Sequence, residues 1–161
     1  MREKGQITIE AIIIFGALIL IFIGVSVPLA FKVKDAATDV GVVSDARYAV
    51  EEIVSAANSI ATPGEKRTVE VYIPGYTSVG MVGSVPLISI QTNIATNGSA
   101  LNTEIVITRY RDDGTLKQSE KHSFAKNLYG SNWSMSTINE SSGRRYEFVV
   151  QWKNITWLVQ G

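Results

Sequence analysis

Residues 11–31 read AIIIFGALILIFIGVSVPLAF, 21 consecutive positions without a charged side chain. Fourteen of them are Ile, Leu, Phe or Val. At about 1.5 Å per residue, a helix over this stretch spans the roughly 30 Å hydrocarbon core of a bilayer. At about −0.4 kcal/mol for each apolar side chain near the bilayer centre, the fourteen favour insertion by at most roughly 6 kcal/mol. Arg2 and Lys4 stand just before the run, and Glu3 offsets them little. The positive-inside rule then keeps the N-terminus in the cytoplasm and places the rest of the chain outside.

Downstream of the run the helical period continues. Val33, Ala36, Ala37, Val40, Val43, Ala46, Val50, Ile53, Val54, Ala57 and Ile60 recur in steps of three and four, the spacing of one buried stripe. The other face carries Lys32, Lys34, Asp35, Asp39, Asp45, Arg47, Glu51 and Glu52. Thr62-Pro63-Gly64 ends the pattern. The expectation is one helix over 6–61, apolar all round across 11–31 and amphipathic over 32–61. Pro28 removes one backbone hydrogen bond and is expected to kink or locally melt it, with Gly24 and Ser26 softening the same turn.

Beyond residue 62 the period changes to two. Val69, Val71 and Ile73 share a face, as do Ile88 with Ile90, Ile105 with Ile107, Tyr146 with Phe148, Val150 and Trp152, and Ile155 with Trp157 and Val159. Asp113-Gly114, within Arg111–Gly114, marks a hairpin turn before a returning strand over 115–122. Six or seven strands in an antiparallel sheet need a hydrophobic cover on one face, and the amphipathic part of the long helix supplies it. The predicted fold class is therefore α+β, a long N-terminal helix packed on a β-rich head over 62–161.

Composition narrows the function. The chain has 161 residues with fifteen acidic and fifteen basic side chains, so its balance of charge points to no polyanionic partner, nucleic acid included. It has no cysteine and one histidine, His122, which removes disulfides, thiolate catalysis and nearly every zinc ligand. No catalytic constellation is readable, and neither an enzyme, a metal site nor a cofactor is expected.

The flank of the apolar run carries a resemblance. Lys4-Gly5-Gln6-Ile7-Thr8-Ile9-Glu10 followed by that run is similar to the class III signal peptide of archaeal type IV pilin-like proteins. In that family a short basic leader ends in Gly, the mature chain begins with Gln, and Glu occupies its fifth position; Gly5, Gln6 and Glu10 match. The resemblance implies that a prepilin peptidase removes residues 1–5 between Gly5 and Gln6. The mature chain then carries 13 basic and 14 acidic side chains. It further implies that assembly machinery lifts subunits from the membrane into a helical homopolymer. There 11–31 exchanges lipid for the same segment of neighbouring copies, and the heads face outward for adhesion. Glu10 would pair with the new α-ammonium of Gln6 and guide assembly; the plainer reading is a carboxylate favoured by the dipole of a helix's first turn.

Other readings of the segment are an ordinary signal peptide cut near Gly24-Val25-Ser26, a membrane anchor for an extracellular binding module, and a low-copy pilin-like adhesin. The segment beyond residue 62 also holds four glycan acceptor sequons, at Asn97, Asn132, Asn139 and Asn154. Asp112-Asp113-Gly114 is read as a plain turn and not a calcium loop, His122 as a surface strand residue, and Gly75–Ser84 as a mobile surface loop. The aromatic face of Tyr146, Phe148 and Trp152 with Trp157 is read as core.

Overall fold

The computed structural model describes residues 3–77, 81–82 and 85–160, with side chains over 9–75 and 85–160. Among the described residues, one helix, α1 (Glu3–Asn58), precedes eleven strands: β1 (Lys66–Ile73), β2 (Tyr76–Thr77), β3 (Met81–Val82), β4 (Val85–Pro86), β5 (Ile88–Asn97), β6 (Ala100–Tyr110), β7 (Leu116–Asn127), β8 (Ser134–Met135), β9 (Ile138–Glu140), β10 (Arg144–Gln151) and β11 (Asn154–Val159). The chain divides into two compact units, Met1–Val40 and Gly41–Gly161.

The described part of the first unit is helix. It runs without a break through Pro28, so the local melting expected there does not occur. A proline ring presses on the carbonyl four residues earlier, and that position is Gly24, whose missing side chain leaves the turn room to adjust.

The second unit, the head, is built on the C-terminal turns of α1. Ala49, Val50, Ile53, Val54, Ala56, Ala57 and Ile60 are all buried. Adjacent buried pairs (49 and 50, 53 and 54, 56 and 57) make an arc too wide for a single sheet to cover. Two sheets cover it, where the periodicity had suggested one. The first has the order β1-β10-β11-β8, with β8 parallel to β11. The second has the order β2-β5-β6-β7, with β9 also pairing β5; β3 and β4 form a separate small ladder. Val71, Ile73, Tyr146, Phe148, Val150 and Ile155 come to the core from the first sheet, and Ile94, Leu101 and Ile138 from the second. Ala46 extends this cover over Ile90, Ile105 and Ile107, with Val42 and Val43 half-buried beside it. Val33 and Val40 share the stripe's spacing but are 62% and 69% exposed, so the stripe is covered only from residue 42 onward.

The helix ends three residues earlier than its period suggests. Ser59 N still bonds Ser55 O at 3.0 Å, and Ile60 N then tightens onto Ala57 O at 3.2 Å. The Glu65 carboxylate accepts from Ala61 N at 2.8 Å, and Gly64 takes φ 100°. Asn58 Oδ1 accepts from Tyr129 N at 2.7 Å and ties the last turn to the chain after β7. Strand β7, twelve residues long, forms the rim of its sheet, and among the described strands it pairs with β6 alone.

A buried polar cluster lies close to where the backbone segments around Gly75 and Gly143 touch. Glu140, 4% exposed, accepts from Tyr146 Oη at 2.5 Å and from Ser142 N at 2.7 Å. A Cβ on Gly75 would sit 2.7 Å from backbone atoms of Ser141, Ser142 and Gly143. Only glycine permits that approach. Trp157 meets Tyr146 edge-on at 5.4 Å; Tyr146 and Phe148 are buried in the hydrophobic core, and Trp152 and Trp157 pack half-buried against it.

Candidate functional site: the uncovered apolar helix

Between Ile9 and Val40 no described residue is buried, and Phe15, Leu20 and Phe22 are 71–72% exposed. The most apolar window of the helix has a mean hydropathy of 2.8, none of it buried. Length and composition suffice to cross a membrane. Burying a large apolar side chain is worth about 1.5–3 kcal/mol, so the fourteen Ile, Leu, Phe and Val side chains of 11–31 leave on the order of 20–40 kcal/mol unrealised in water. A folded domain has only about 5–15 kcal/mol of net stability to set against that. The segment is therefore compatible with insertion into a membrane or with a signal-like role. Because it is apolar on every side, a single flat contact would leave most of it wet.

The ends of the segment are polar. Glu10 is exposed at its start, and Lys32, Lys34 and Asp35 are exposed just after its end. The backbone of Gly5 and Gln6 lies within α1, while their side chains fall outside those described, as does the pairing anticipated between Gln6 and Glu10. The helix begins at Glu3, inside the anticipated leader.

In the head, the four sequon asparagines Asn97, Asn132, Asn139 and Asn154 are exposed. Asp113 closes its turn by accepting from Thr115 N at 2.8 Å and Thr115 Oγ1 at 2.6 Å, and these bonds hold its carboxyl below the ordinary range. No group of three His, Asp or Glu poised for a metal occurs among the described residues. His122 stands on β7 with Glu120 Oε2 3.8 Å from its Nε2. Gly75–Ser84 was expected to be a mobile loop; its described parts are a buried Gly75 and the short strands β2 and β3, while 78–80 and 83–84 lie outside the described residues. Open depressions of about 480 Å³ beside Tyr110–Asp113 and about 400 Å³ between Pro63–Lys66 and Gln151–Trp152 assemble no nucleophile with a base.

Burial pushes the Glu140 carboxyl up, but the hydrogen bonds from Tyr146 and Ser142 outweigh it and leave the group below its ordinary value. Burial, with the same bond to Glu140, holds the Tyr146 hydroxyl well above the usual phenol range. Nothing in the spacing of Glu140 and Tyr146 marks this pair in the sequence; only the turn between β9 and β10 brings them together.

No protein-family model matches the chain, and neither a curated protein nor a solved structure shows significant similarity to it.

Proposed function

We propose that the chain is the structural subunit of an archaeal type IV pilus-like extracellular filament, polymerising through its N-terminal hydrophobic helix and serving adhesion. The observation that carries this reading is the apolar helix, 21 residues without a charge and uncovered on all sides, directly behind the Gly5-Gln6 leader motif. Before assembly the bilayer covers 11–31. In the filament, the same segments of neighbouring copies replace lipid, and a heterologous contact that never closes extends the polymer. The head keeps its own core and faces the exterior.

The test is the intact mass and N-terminal peptide of the protein sheared from the surface of its native cells. A chain starting at Gln6 supports prepilin-type processing with the apolar helix retained. A start at Val27 refutes the filament, and a start at Met1 leaves a tethered extracellular domain instead. Glu10→Ala is expected to insert normally in the membrane but to reduce filament yield, because the carboxylate that pairs with the α-ammonium of Gln6 and sets the register is lost. Wild-type piliation in cells carrying only that variant would show that Glu10 has no part in assembly.

A further inference from the structure

The fold treats the four sequons unequally. Asn97 closes β5 at a tight hairpin, opposite Ala100, with Gly98 at φ 63°. Asn132 lies between β7 and β8 at φ 65°. Asn154 opens β11 just after Lys153, which takes φ 58°. These three segments are stitched together. Trp133 N donates to Gly98 O at 3.1 Å, and Ser134 N donates to Lys153 O at 3.0 Å. Ser134 and Asn154 are bridge partners, and Ser134 Oγ donates to Asn154 Oδ1 at 3.3 Å. Ser134 is the hydroxyl residue of the Asn132 sequon, so one sequon's hydroxyl rests on the acceptor amide of another.

Asn139 is placed differently. It lies within β9 opposite Asn93 of β5, and its Oδ1 accepts from Gln91 Nε2 at 2.5 Å. Asn139 is held in the middle of a strand, whereas the other three acceptors sit at turns or at a strand's first residue.

We infer that Asn97, Asn132 and Asn154 form a single N-glycan-bearing pole of the head, that Asn132 and Asn154 are used in alternation because a sugar on either crowds Ser134, the sequon hydroxyl of Asn132, and that Asn139 stays bare. This rests on the extracellular head of the proposed function. In the transfer, the asparagine Nδ2 bonds to the anomeric carbon of a glycan carried on a lipid pyrophosphate. The carbon–oxygen bond to phosphate breaks, the lipid pyrophosphate leaves, and the amide proton passes to a base of the transferase. A sugar on Asn154 stands roughly 5 Å, one strand spacing, from Ser134 and covers the hydroxyl that must be read for Asn132. A sugar on Asn132 crowds the same hydroxyl from its other side. The ceiling is two glycans per chain, gathered where Asn58 ties the end of α1 to the chain after β7.

Intact mass and glycopeptide mapping of the native protein test this. The expected pattern is one or two glycans per chain, with Asn132 and Asn154 never filled together and Asn139 unmodified. Asn154→Gln should raise the occupancy of Asn132 at least about twofold without raising the maximum count. Three or four glycans, both Asn132 and Asn154 filled, Asn139 filled, or a chain with no glycan would each overturn the inference. The wild-type pattern alone decides, so a variant that fails to fold does not obscure it. The same spectrum separates the two readings: a bare chain starting at Gln6 removes the glycan pole and keeps the filament, while a glycosylated chain starting at Met1 does the reverse.

Discussion

Tyr146→Phe removes one oxygen and leaves the ring packing intact, so it isolates the buried bond to Glu140. Tyr146 is 3% exposed and Glu140 is 4% exposed, and the carboxylate's other donors are Ser142 N and Oγ. A hydrogen bond to a charged group is worth about 1.5–3 kcal/mol, and a buried partner left unsatisfied forfeits its desolvation cost. The expected loss at pH 7 is about 2 kcal/mol. For a head spanning Gly41–Gly161 that corresponds to a drop of roughly 8 °C in Tm. The loss should also depend on pH. Glu140 titrates lower in the folded chain than its ordinary value of 4.5, so its contribution is present above that value and fades as pH falls through the folded pKa. Without the phenol the folded pKa moves up, the acid limb of the variant starts at higher pH, and the gap to wild type narrows once both carboxyls are protonated. Urea unfolding of the full chain in mild detergent, followed by near-ultraviolet circular dichroism of the buried aromatics, measures both effects. Equal stability at pH 7, or a gap that does not narrow as the pH falls through the acid limb of the wild type, would refute the argument.

Two further outcomes follow from packing. Gly75→Ala places a methyl 2.7 Å from the backbone of Ser141–Gly143, which cannot yield as a flexible side chain would. It is expected to cost about 1–3 kcal/mol in the same unfolding assay, and an unchanged midpoint would show that the contact is slack. Val40→Asp alters a position 69% exposed in the first unit, so the head's unfolding midpoint should stay within about 0.5 kcal/mol of wild type while filament yield falls. A destabilised head would mean that Val40 is covered after all.

Periodicity made the elements legible and left their partners open. The helix, the inward faces of β1, β5, β6, β10 and β11, and the aromatic core around Phe148 can be read from residues recurring every second position or every three to four. The second half of β5 cannot, because Thr92-Asn-Ile-Ala-Thr-Asn97 offers one large apolar side chain among polar ones. Its extension depends on pairing with β6 and β9. The division into two sheets depends on the width of the helix's buried arc, set by small alanines whose spacing admits more than one reading. Val33 and Val40 show the complementary limit: spacing marks what can be buried, and only a neighbour decides whether it is. In the candidate site, the apolar run and Glu10 stand out in one stretch of sequence. The meeting of Asn97, Asn132 and Asn154 does not, because 57 residues separate the first from the last.

The rim strand β7 bears on what a crowded polymer must avoid. Twelve residues with a strand partner on one edge only, among the described strands, are a template for a foreign strand, and side-by-side copies would present that template at every step along a fibre. Lys117, Lys121 and Lys126 are set along this margin, with Lys121 ion-paired to Glu104 and Lys126 to Glu51 at 2.8 Å. Bringing two such margins together would align ammonium groups against ammonium groups and strand both ion pairs in a drier seam. Sideways zippering is thereby discouraged, and in the proposed filament growth stays confined to one dimension.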